Sequence, residues 1–86
     1  MINLIRNYIN KITKEDINNY LIKNDIFLNN NELNIIYDYF KNKWYDFLYG
    51  DNLPILEYLK NNISESNYNK LYDLYIKAKE KYSNYL

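Results

Sequence analysis

Eighty-six residues with eleven basic and eleven acidic side chains, no cysteine, no histidine and one glycine narrow the chemistry before any pattern is read. The length predicts one domain. The missing thiol and imidazole exclude disulfides, zinc sites of the usual Cys/His kind, Ser-His-Asp or Cys-His catalysis and an imidazole pH switch.

In chain order, the first predicted helix covers 2–11, with Ile2, Ile5, Ile9 and Ile12 sharing one side and Tyr8 at its margin. Thr13 opens the next, because its side-chain oxygen can accept an orphaned first-turn N–H while Asp16 reaches back. That helix runs over 14–24 with Ile17, Tyr20 and Leu21 inward, and Asn24-Asp25 closes it. Ile26-Phe27-Leu28 then crosses as an extended connector, Ile26 and Leu28 being expected to plug the core.

Asn29 and Glu32 repeat the cap and begin the longest helix, 30–49. Its stripe of Leu33, Ile36, Tyr37, Phe40, Trp44, Phe47 and Leu48 lies within about 120° at 100° per residue. Gly50 is expected to end it with a positive φ. Asp51-Asn52-Leu53-Pro54 supplies a polar cap and a first-turn proline for a fourth helix over 53–61, burying Ile55, Leu56 and Leu59. Ser64, with Asn67 three positions on, starts the fifth, which buries Tyr68, Leu71, Tyr72, Tyr75, Ala78 and Tyr82 and gathers Lys77, Lys79 and Lys81 near its negative end. The starts at Thr13, Asn29 and Ser64 are unevenly spaced, so no repeat array is implied. Together they predict an all-α, compact orthogonal bundle of four to five helices forming one domain over 1–86.

No apolar run approaches the roughly 18 residues of a membrane span. The first eleven residues alternate apolar with Asn and Arg6 and lack the apolar stretch of a signal peptide, so a cytoplasmic protein is expected. Ten Lys against one Arg, with abundant Asn, Ile and Tyr, looks like the codon signature of an AT-rich genome.

Function is written more faintly. Twelve tyrosines are more phenols than one small core can satisfy, so some must lie at the surface. Ile35, Tyr39 and Tyr49, with Asn42 and Asp46, project opposite the main stripe of the long helix. Tyrosine among amides is the composition of a protein-binding face. Ile35, Tyr39, Asn42 and Tyr49 are therefore the candidate contact for an unknown protein or for self-association, the competing reading being packing within the bundle. Lys70, Lys77 and Lys81 line one side of the last helix with Tyr82 and Tyr85 near, the basic and aromatic interleaving of a nucleic-acid track. Asp73 and Glu80 flank that row, and a net charge of zero withholds the usual electrostatic attraction, so nucleic acid is the alternative only. Glu15-Asp16 fits a helix start better than acid–base catalysis. Asp46, Asp51 and Asn52 lack calcium-loop spacing, and one glycine makes no phosphate loop. No enzyme, metal, cofactor, membrane or small-molecule ligand is expected.

The segments Ile12-Thr13-Lys14-Glu15-Asp16-Ile17 with Tyr20, Ile26-Phe27-Leu28-Asn29 with Glu32-Leu33, and the closing helix after Ile63-Ser64 give most of the chain an order that resembles the YqfT-like family. These are short proteins of unknown function from low-GC Gram-positive bacteria. The chain departs from that pattern in Asn29, where Ser or Thr is commoner, and in its Tyr-rich helices. The resemblance implies a cytoplasmic bacterial helical domain and carries over no functional residue.

Overall fold

The computed structural model describes residues 2–82 and the side chains of 3–81. The expectations for the side chains of Ile2 and Tyr82, and for Tyr85, fall outside that description. Helices occupy α1 (Ile2–Lys11), α2 (Lys14–Lys23), α3 (Asn30–Tyr49), α4 (Leu53–Asn62) and α5 (Glu65–Tyr82), with no strand among the described residues. The protein is all-α. Its internal contacts divide into two units, Met1–Trp44 and Tyr45–Leu86, and α3 contributes to both.

In the first unit, Ile9, Leu21 and Ile26 form the buried core. Two reciprocal caps set the helix starts. The Thr13 oxygen accepts the Asp16 N–H at 3.1 Å, and Asp16 accepts the Thr13 N–H at 3.0 Å. Asn29 accepts the Glu32 N–H at 2.8 Å, and Glu32 accepts the Asn29 N–H at 3.1 Å. The second cap explains a buried acid: Glu32 is only 5% exposed, and its carboxylate is spent on backbone. Hydrogen bonds from Thr13, first its backbone N–H and then its side chain, hold the Asp16 carboxyl below the ordinary carboxylate range, with Lys41 adding to the effect and slight burial opposing it.

The end of α2 is a Schellman motif. Asp25 takes φ 62°, the Asp25 N–H donates to the Ile22 carbonyl at 3.0 Å, and the Ile26 N–H reaches the Leu21 carbonyl at 2.9 Å. Leu21 and Ile26, the pair this motif brings together, are both buried. The connector alternates as an extended strip should: Ile26 inward, Phe27 exposed, Leu28 half-buried. Tyr20, expected inward, is exposed. It lies about 100° from Leu21 on the helix, so its phenol reaches water past the edge of the stripe.

The C-terminus of α1 is capped from a distance. Lys41 of α3 donates to the carbonyls of Ile9 at 2.6 Å and Asn10 at 3.2 Å. Its ammonium stands 5.6 Å from the centre of the Tyr37 ring, which Lys14 approaches to 5.5 Å while bonding the Asn34 side chain. Arg6 of α1 lies over Trp44 at 5.9 Å.

In the second unit, Ile55 and Ile63 are buried. Gly50 follows α3 without a positive φ, contrary to expectation. Its value there is clearance, since a Cβ would stand 3.2 Å from both Cα and O of Asp46, whose carbonyl accepts the Gly50 N–H at 3.0 Å. Asn52 occupies the cap position of α4 but does not cap with its side chain. Asp51 takes the Leu53 N–H instead, at 3.1 Å. The Asn52 amide donates to the Phe47 carbonyl at 3.3 Å and to the Tyr75 hydroxyl at 3.0 Å, tying the end of α3 to α5. The Ser64 oxygen accepts the Asn67 N–H at 3.3 Å and opens α5 as read from the sequence.

Candidate functional site

The second unit holds an open groove of about 860 Å³ between α4 and α5. On α4, residues Leu53, Leu56, Glu57 and Lys60 line it at the i, i+3, i+4, i+7 spacing of one helical face, distinct from the face that buries Ile55. From α5 come Tyr68 and Tyr72, stacked with ring centres 6.1 Å apart, and Asp73 beside them. Two leucines and two tyrosines share the lining with Asn61, Asn69, two carboxylates and one ammonium.

Ring contacts fix the tyrosines. Phe47 packs on Tyr75 at 4.6 Å, and Tyr75 meets Tyr72 edge-on at 6.1 Å. Since Asn52 holds the Tyr75 hydroxyl, the wall of the groove is braced from behind. Leu53, by contrast, is 69% exposed at the start of α4, and Tyr72, expected to be buried, is 39% exposed. Tyr72 lies at the margin of the inward stripe of α5, where the groove opens.

The residues singled out from the sequence lie elsewhere. Ile35 and Tyr39 in the first unit and Tyr49 in the second are half-buried, while Asn42 is exposed. Tyr49 packs on Tyr45 one turn earlier at 5.2 Å. None of the four lines the groove. Lys70, Lys77 and Lys81 are all exposed, and α5 is continuous through them, so helical spacing puts them on one side. Lys79 lies over the Tyr75 ring at 6.0 Å. Leu56, expected to be buried, is half-buried and lines the groove instead, and the signal for the groove in the sequence was Leu53, an α4 leucine outside the expected core.

Among the described residues, no group of three or more acidic side chains could hold a metal ion, and no helix is long and apolar enough to cross a membrane. Set against protein-family models, curated proteins and solved structures, the chain finds no match. The resemblance to the YqfT-like family therefore rests on the quoted segments alone.

Proposed function

We propose that this chain is a non-enzymatic protein-interaction module that receives an amphipathic helix in the α4–α5 groove. The observation that carries the reading is Leu53, 69% exposed while it lines the groove with Leu56, Tyr68 and Tyr72. Apolar surface left in water at one rim of a groove is recovered when a partner covers it. Tyrosine adds contact area at low entropic cost, and a helix with anchors at i, i+3 or i+4, and i+7 is the shape such a channel takes. Glu57, Lys60 and Asp73 would set its direction. The α3 residues Ile35, Tyr39, Asn42 and Tyr49 are the second candidate contact, with less apolar surface on offer.

Selection of a displayed helical-peptide library on the immobilised chain, with counter-selection on Leu53→Lys, tests this. Enriched peptides should share the helical anchor spacing and shift the amide resonances of α4 and α5. A selection without binders overturns the reading. Shifts confined to Ile35, Tyr39, Asn42 and Tyr49 return the contact to α3. Retention on heparin at low salt, lost on Lys70→Gln with Lys77→Gln, would favour the nucleic-acid alternative built on Lys70, Lys77, Lys81 and Tyr82.

A further inference from the structure

Resting on the groove as a docking site, we infer that its occupant is the outer face of α1 from a second copy of this chain. The inner side of α1 is spent on Ile5, Ile9 and the Arg6–Trp44 contact. Leu4, Tyr8 and Lys11 follow at i, i+4 and i+7, so they share one face within about 60°, turned roughly 110° from the side of Ile5 and Ile9. Leu4 is 70% and Tyr8 68% exposed. Together with Leu53 these are the most exposed large apolar side chains among the described residues, and all three fall on the two surfaces proposed to meet.

Charge points the same way. Residues 2–11 contain Arg6 and Lys11 and no acid. The groove carries Glu57 and Asp73 against the single Lys60. Lys11 next to a seated Leu4–Tyr8 pair therefore meets a lining with an excess of carboxylate, which favours this docking over one led by an acidic helix. A helix of ten residues is about 15 Å long and presents its two apolar anchors about 6 Å apart along the axis, a short segment suited to a short groove. Donor and acceptor surfaces differ, so the contact is heterologous. Copies would join head to tail, extending or closing into a ring.

Sedimentation velocity of the full chain from micromolar to millimolar concentration tests the inference, using two variants at exposed positions. Leu4→Glu with Tyr8→Glu spoils the α1 face, and Leu53→Lys with Asp73→Lys spoils the groove. Wild type should grow in mean mass with concentration, each variant should stay monomeric, and an equimolar mixture of the two should recover one junction and stop at dimer. A monomeric wild type, or a mixture that stays monomeric, overturns the inference. So does either variant associating as wild type does. If circular dichroism shows either variant unfolded, amide shifts of the wild type on concentration decide instead: they must appear on α1 and on α4–α5, and shifts elsewhere overturn it. A monomeric wild type whose groove still binds library peptides sinks the self-docking alone, whereas loss of both sinks the groove reading as well.

Discussion

The side-chain amide of Asn52 donates to the hydroxyl of Tyr75, 23 positions away, at 3.0 Å, while also donating to the last-turn carbonyl of Phe47 at 3.3 Å. One partly buried amide thus joins the end of α3, the start of α4 and the middle of α5. Asn52→Ala strands two acceptors and is expected to destabilise by about 1–3 kcal/mol. Tyr75→Phe, which leaves the ring packing on Phe47 in place, should cost less. A double-mutant cycle by urea denaturation checks the coupling: additive single costs would mean the bond contributes nothing.

Acid stability should report on Asp16. Its carboxyl is held below the ordinary value, chiefly by the Thr13 backbone N–H, so its contribution is present above about pH 4 and lost as pH falls through the lower folded value. The melting temperatures of wild type and Asp16→Asn should differ by a constant amount from neutrality down to about pH 4 and converge below it. A gap that ignores pH would remove the assignment.

Asp25 occupies a left-handed conformation and places a carboxylate at the negative end of α2. Glycine tolerates that φ and alanine does not, so Asp25→Ala should melt a few degrees below Asp25→Gly, about 1 kcal/mol, both variants having lost the carboxylate alike. Equal midpoints for the two variants would show that position 25 does not need the left-handed conformation.

Lys41→Met keeps the length of the side chain and removes its bonds to Ile9 and Asn10. The expected cost is about 1–2 kcal/mol. Hydrogen exchange by NMR should show protection falling in α1 well before α5 is affected, and uniform loss would rule out a local role.

Ser64→Ala removes the acceptor for the Asn67 N–H and should lower the thermal midpoint by several degrees, about 1 kcal/mol. No change would mean that other contacts fix the start of α5.

What could be read from the sequence follows the range of each interaction. The caps at Thr13, Asn29 and Ser64 act over three residues, and the helices begin where they stand. The alternation at Ile26-Phe27-Leu28 is equally local. Lys41 capping α1 joins groups 31 and 32 positions apart and leaves no pattern behind. Asp51-Asn52 was legible as a polar cap, and the acid fills that role while the Asn52 side-chain N–H is held by Phe47 and Tyr75, a link the sequence does not show. Gly50 was legible as a helix end and not as a close approach, because its constraint comes from the Asp46 backbone. The groove needs α4 beside α5, and only Leu53, left outside the expected core, hinted at it.

The distant cap on α1 has a consequence for synthesis. A helix of ten residues is marginal in water by itself. It leaves the ribosome 31 residues ahead of the lysine that holds its last carbonyls, an interval of roughly 2–6 s at usual elongation rates. For that time Ile5 and Ile9 share the solvent with Leu4 and Tyr8, and the segment gains its distant cap only once α3 has emerged.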